Sequence, residues 1–469
     1  MIIAKLTRPN MQYDMNALLK SFYPPEDITM EDIISEDDDF IADISLDGKQ
    51  IAYVKMADTM DEDKSAFKNE LRRRIYRQLK ALTGKELPWG ILNGIRPTKL
   101  AVKELDEGHS AKEAEEFMKS VYLASDEKAG LAVKIAERER KIISGLHTKN
   151  GYSLYIGIPF CPTTCLYCSF TSYPIGQWKN RVDDYVTCLT KEIDYIAENF
   201  KDKVLDTIYV GGGTPTTLEP DQMERLLTYV SEKLDLSHLQ ELTVESGRPD
   251  SINREKLKAM KRCGVDRISV NPQTMSDKTL KFIGRHHTVA QYIEAFNTAR
   301  EEGFENINTD IILGLPGETI EDVEHTISEI EKLRPDDLTV HSLAIKRASR
   351  LQEWIRKNGL EEVKDTAAMM DIAAAGAERM GLSPYYLYRQ KNMSGSLENV
   401  GFASEDHAGI YNVAMMEEVQ SILAIGAGTV TKRVSSDGNI TRCDCHKDVE
   451  LYMSQIDEMI NRKRKLFGD

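Results

Sequence analysis

The chain has 469 residues, 41% hydrophobic and 29% charged, with a formal net charge of −15. That length exceeds one ordinary core, so two or three domains are expected, and the composition is that of a globular protein. The acidic balance disfavours a nucleic-acid partner, no apolar run approaches the roughly 18 residues of a membrane span, and "MIIAKLTRPN" lacks signal-peptide features, so a cytoplasmic location is expected.

Residues 1–85 read as a small α+β domain. "MIIAKL" fits a short strand, and "FIADISLDGKQIAYVKM" fits two strands turning at Asp47-Gly48. The acidic run Glu36 to Asp39 reads as a solvated loop. Asp61 to Leu82 carries Phe67, Leu71, Ile75 and Leu79 at helical spacing. Residues 86–150 form a mostly helical connecting region, with Pro97 near a helix start.

From residue 151 short apolar runs alternate with helical patterns. Strands are expected at 153–158, 207–210, 241–245, 267–270, 307–313 and 338–344, with helices around 181–200, 220–235, 253–263, 277–302 and 320–333. Strands separated by helices imply parallel pairing through right-handed crossovers. A closed or nearly closed β/α barrel fits, with a flat doubly wound sheet as the alternative. Several unusual polar residues fall at or just past strand ends, where barrels build their sites.

After the first strand comes "GIPFCPTTCLYCSF", with Cys161, Cys165 and Cys168 at intervals of four and three. A structural zinc site wants four ligands, and the next cysteine, Cys188, lies in a helical pattern. Three unrelated buried thiols fit poorly with a tight glycine- and proline-flanked loop. An iron–sulfur cluster fits best: three thiolates on a four-iron cluster leave one iron open to a ligand. Cys188 and Cys263 read as small core residues, Cys443 and Cys445 as free thiols, and "NRKRK" near the C-terminus as a solvated helix end. No role is assigned to His286 or His287.

The CxxxCxxC run, with "GGGTPT" after the second strand, resembles the radical S-adenosylmethionine (radical SAM) superfamily. "YIGIPFCPTTCLYCSF", "VESGRPD", "INTDIILGLPGET" and "GILNGIRPTKLA" narrow the resemblance to the oxygen-independent coproporphyrinogen III oxidase group, most like its HemZ, or coproporphyrinogen dehydrogenase, branch. It implies an α/β fold: a radical SAM partial (β/α)6 barrel over 151–380, preceded by the small α+β domain and followed by a C-terminal extension, 381–469, that closes the site. It implies a 4Fe–4S cluster on Cys161, Cys165 and Cys168, and S-adenosylmethionine cleaved to a 5′-deoxyadenosyl radical. Tyr155, Tyr167, Gly212, Gly213, Thr214, Glu245, Gln273, Arg285, Asp310, His341, Ala344 and Ile425 match the group's cofactor contacts.

The implied reaction is oxidative decarboxylation of two propionates of coproporphyrinogen III to vinyl groups, giving protoporphyrinogen IX in haem biosynthesis. A reduced flavodoxin or ferredoxin would donate electrons. Arg248, Lys346 and Arg347 are candidate partners for substrate carboxylates. Oxidases of the group carry a fourth cysteine two residues after the third; here that place is Phe170, as in the haem chaperone (HemW) branch. A haem-binding chaperone and a radical enzyme acting on another anionic substrate are the alternative functions.

Overall fold

In the computed structural model of the chain, residues 1–23, 26–34, 39–92, 94, 96–344, 349–358, 366–389 and 397–468 are described. They form two compact units, Met1–Glu137 and Arg138–Asp469, and the division falls inside the helix Asp126–Ser144. The acidic loop expected from Glu36 lies, apart from Asp39, outside the described residues, as do Lys346 and Arg347.

The first unit holds a four-stranded sheet of β1 (Ile2–Leu6), β2 (Ile28–Asp32), β3 (Asp39–Leu46) and β4 (Lys49–Ala57), in the order β2-β1-β3-β4. β3 and β4 form the expected hairpin at Asp47-Gly48. The long helix is Lys64–Thr83, capped by the Asp63 carboxylate on the N–H groups of Ser65 and Ala66. Its stripe of Phe67, Leu71, Ile75 and Leu79 is buried in this unit's core, where Phe67 meets Phe40 edge-on at 5.3 Å. Three further helices follow: Thr98–Asp106, directly after Pro97, then Ala111–Tyr122 and Asp126–Ser144.

The second unit is built on one sheet of eleven strands. At its centre lie six parallel strands in chain order: β5 (Gly151–Ile158), β8 (Val204–Gly212), β9 (Glu241–Val244), β10 (Arg267–Ser269), β11 (Asn306–Leu313) and β12 (Asp337–Ser342). Each coincides with an expected strand. β6 (Phe160–Cys161) and β7 (Tyr173–Pro174) form a separate parallel pair. The C-terminal segment extends both edges. Beyond β12 stand β14 (Asn399–Ala403) and β13 (Ser383–Tyr388), both antiparallel pairings. Beyond β5 stand β15 (Ser421–Ile425), parallel to it, then β16 (Val430–Val434) and β17 (Ile440–Asp444). The ends of this order, β13 and β17, do not pair with each other, so the barrel is partial.

Two expectations are corrected here. The helical stretch 277–302 is two helices, Asp277–Phe282 and Val289–Glu301. Gly284, at φ +76°, ends the first in a conformation that side chains resist, and Thr288 caps the second with Gln291. The C-terminal basic run is not wholly solvated: Lys463 is 1% exposed. Among the described residues no helix is long and apolar enough to cross a membrane.

Candidate functional site

The thiol loop grows from the end of β5. The short β6–β7 ladder pairs Phe160 with Tyr173 and Cys161 with Pro174, closing the loop at its base. Its tip is held by backbone bonds, from Leu166 N–H to Ile283 O (2.9 Å) and from Leu351 N–H to Leu166 O (2.8 Å). The break between the two helices, read as continuous in the sequence, is thus what receives the loop.

The glycine-rich loop after β8 lies against the first cysteine. Gly213 N–H donates to Ile158 O (2.7 Å), and Thr214 N–H to Phe160 O (2.7 Å). A Cβ on Gly213 would stand 2.6 Å from Phe160 O and 3.0 Å from Cys161 Sγ, so only glycine fits. Thr214 Oγ1 donates to Cys161 Sγ (3.4 Å). One buried lysine ties this loop to the next: Lys256 Nζ donates to Thr216 O (2.6 Å), and Thr216 Oγ1 meets Ser251 Oγ at 2.6 Å. Nothing local in the sequence marks Lys256 for this, because Thr216 lies forty residues away.

These elements open into one cavity of about 640 Å³ at the C-terminal ends of the parallel strands. It is lined by the three thiols and by Tyr155, Tyr167, Gly212, Gly213 and Thr214. Glu245, Gln273, Arg285, Asp310, His341 and Ala344 line it too. Ala344 sits two residues past the end of β12 rather than on it. Ile425 is the exception: it ends β15, pairs with Ile156 and is fully buried away from the cavity wall.

Arg285 Nη1 donates to Gly247 O (2.9 Å) and Asn271 O (3.2 Å), and Nη2 to Tyr167 Oη (3.2 Å). Burial disfavours its charge, and Tyr167 and Cys165 more than restore it. Asp310 accepts from Asn271 Nδ2 and Asn308 Nδ2, both at 2.7 Å, with His341 Nε2 at 3.7 Å. Burial works against ionisation of Asp310, but His341, Asn308 and Thr339 outweigh it and hold the carboxyl below its ordinary value. Burial instead pushes Glu245 up to about 7, opposed by the hydrogen bond from Tyr209 Oη (2.5 Å). Arg248, expected to meet substrate, is already committed, with both Nε and Nη2 bonded to Asp250.

The donor set fits a cluster and a nucleotide-like cofactor. Thiolates on one zinc ion, at about 2.3 Å each, would lie about 3.8 Å apart. Among the described residues the one trio of possible ligand atoms within 4.8 Å of one another is Glu104, Glu107 and His109 in the first unit. Three thiols around one cavity are the donor set of a four-iron cluster with one iron left open. Ser269 Oγ, Gln273 Oε1 and Arg285 Nε, on residues that line the cavity, are buried and have no hydrogen-bond partner. The cavity also has an aromatic lining: Tyr209 and Tyr411 stack at 4.5 Å and Tyr386 and Tyr388 at 6.2 Å, and Met415 and Met416 line it as well.

The description "Radical SAM superfamily" matches residues 155–330. The Bacillus subtilis (strain 168) oxygen-independent coproporphyrinogen-III oxidase-like protein HemZ is 39% identical over 467 residues, covering 97% of this chain and 93% of its own. This chain belongs to the radical SAM superfamily, in the HemN/HemZ group. As a member it uses a 4Fe–4S cluster and S-adenosylmethionine. The heme chaperone HemW of the same organism is 36% identical over 236 residues, 50% of this chain and 62% of its own. The solved coproporphyrinogen III oxidase HemN from Escherichia coli shares the fold, with a TM-score of 0.54 and 23% identity over 68% of this chain and 72% of that one.

Proposed function

We propose that this radical SAM protein is an oxidoreductase that converts two propionate side chains of coproporphyrinogen III to vinyl groups without oxygen, in porphyrin biosynthesis. The observation that carries this reading is the cavity, which joins the thiol loop, a ring of buried polar groups and a tyrosine–methionine wall in one space. The wall suits the pyrrole rings of a tetrapyrrole, whose carboxylates need polar partners elsewhere. The near full-length likeness to the HemZ protein supports the same reading.

The chemistry explains why a radical cofactor is wanted. A propionate β-hydrogen is far too weakly acidic for a side-chain base tuned near neutral pH. The cluster and S-adenosylmethionine, when bound, would supply a carbon-centred radical that takes it as an atom; carbon dioxide and one electron, passed to an external acceptor, must then leave each side chain. The chain's own residues bind, orient and exclude water. Arg285 would pair with the cofactor carboxylate, and the Gly212–Thr214 loop would allow close backbone approach. Asp310 and Glu245 accept from hydroxyls, and Gln273 Oε1 from the cofactor's N–H groups. Arg285→Ala and Asp310→Ala are each expected to weaken S-adenosylmethionine binding by roughly 1.5–3 kcal/mol, about ten- to a hundredfold in Kd. Iron content stays at the wild-type level. Calorimetry giving unchanged affinity in both variants removes these residues from the site.

The second reading, a haem chaperone, is favoured by Phe170, which is 69% exposed at the cavity edge. Its position does not touch the cluster, since an iron that must stay open needs no fourth thiolate. Reduced, reconstituted protein given S-adenosylmethionine and coproporphyrinogen III anaerobically is expected to form 5′-deoxyadenosine and a vinyl-bearing tetrapyrrole. Cofactor cleavage with an unchanged tetrapyrrole and stoichiometric haem binding establishes the chaperone instead. Cleavage with neither result points to another anionic substrate.

A further inference from the structure

The three thiols meet three different kinds of protein donor. Cys161 Sγ receives the Thr214 hydroxyl, and Cys168 faces the backbone N–H of Phe170. Cys165 alone receives a full charge: Arg248 Nη1 lies 3.5 Å from its sulfur. Arg248 is 4% exposed, and every other donor direction is taken. Nε and Nη2 form a two-pronged pair with Asp250 at 2.9 and 2.7 Å. Nη1 also reaches Thr163 O at 3.1 Å, and Nη2 reaches Thr163 Oγ1 at 3.2 Å. The guanidinium is thus locked in the plane that points at Cys165, with one carboxylate as counter-charge behind it.

We propose that Arg248 tunes the reduction potential of the cluster through its N–H···S contact with Cys165, and that Asp250 sets how much of the charge the cluster feels. The proposal rests on Cys161, Cys165 and Cys168 being the cluster ligands. Reduction adds one electron to a centre whose potential follows net charge, hydrogen bonds to sulfur and solvent exposure. A buried cation beside a ligand sulfur stabilises the reduced form more than the oxidised one and raises the potential. The carboxylate of Asp250 opposes this. A guanidinium stays cationic in a protein interior, and here a carboxylate is paired with it. A cluster that must be reduced before it can act is thereby brought within reach of its donor.

The pair gives the test its sign. The midpoint potential is read by electron paramagnetic resonance in a redox titration of reconstituted protein, without S-adenosylmethionine, alongside iron and sulfide content. Arg248→Gln is expected to lower the potential and Asp250→Asn to raise it, each with the wild-type complement of iron. A shift that changes the reduced-to-oxidised ratio tenfold at fixed ambient potential corresponds to about 59 mV for one electron. Arg248→Lys, which keeps the charge, stays close to wild type. Shifts of the same sign in the Gln and Asn variants, or no shift in either, overturn the proposal, because general loosening of the loop cannot move the two in opposite directions. Wild-type protein that assembles no cluster overturns the ligand assignment, and the proposal with it.

Discussion

Replacing Cys161, Cys165 or Cys168 with alanine is expected to abolish the cluster and all cleavage of S-adenosylmethionine, whereas Cys443→Ala and Cys445→Ala are expected to retain it. Thiolates hold iron–sulfur clusters, and each of the three lines the cavity. No other cysteine does: Cys443 lies on β17, and Cys445 is buried against Glu192 and Lys463. Losing one ligand leaves two thiolates for four irons, so the expected effect is loss rather than weakening. Iron and sulfide assays on anaerobically purified variants decide it. Full iron in any of the three variants contradicts the assignment.

Lys463→Met is expected to destabilise the second unit by about 3–5 kcal/mol, the cost of leaving a buried charge without its partner. Lys463 Nζ donates to Glu192 Oε1 at 2.5 Å, and the two side chains are 1% and 0% exposed. Glu192 also accepts from Gly426 N–H (2.9 Å) and from Tyr452 Oη. Burial alone disfavours the ammonium, and Glu192 more than restores it. The double variant Glu192→Gln/Lys463→Met recovers part of the loss, since an amide can still accept from Gly426 and Tyr452. Denaturant titration followed by a probe in the second unit measures both. A Lys463→Met protein as stable as wild type, or a double variant less stable than the single one, contradicts this account.

Much of the barrel was legible because each strand is a short apolar run set between helical patterns, and because polar residues such as Glu245, Asp310 and His341 interrupt those runs near strand ends. The helix break at Gly284 was legible in principle. Thr288 and Gln291 form the reciprocal cap that marks a helix start, but the apolar period on either side hid it. Lys463 was hidden by its neighbours. It falls in step with Ile456, Met459 and Ile460 on the buried face of the helix Ile456–Phe467, yet the charge-rich run around it reads as surface. The contacts of Arg248 with Cys165 and of Lys256 with Thr216 were not legible. Each depends on loops brought together by tertiary packing, as does the burial of Ile425 in the strand beside β5 rather than in the cavity.

The measurement that tests the central claim most directly is electron paramagnetic resonance of the reduced, reconstituted protein before and after S-adenosylmethionine, with 5′-deoxyadenosine quantified in the same sample. The predicted result is a 4Fe–4S signal that S-adenosylmethionine alters, with 5′-deoxyadenosine formed. Stoichiometric zinc without iron, or a cluster signal that S-adenosylmethionine leaves unchanged with no 5′-deoxyadenosine, would contradict it.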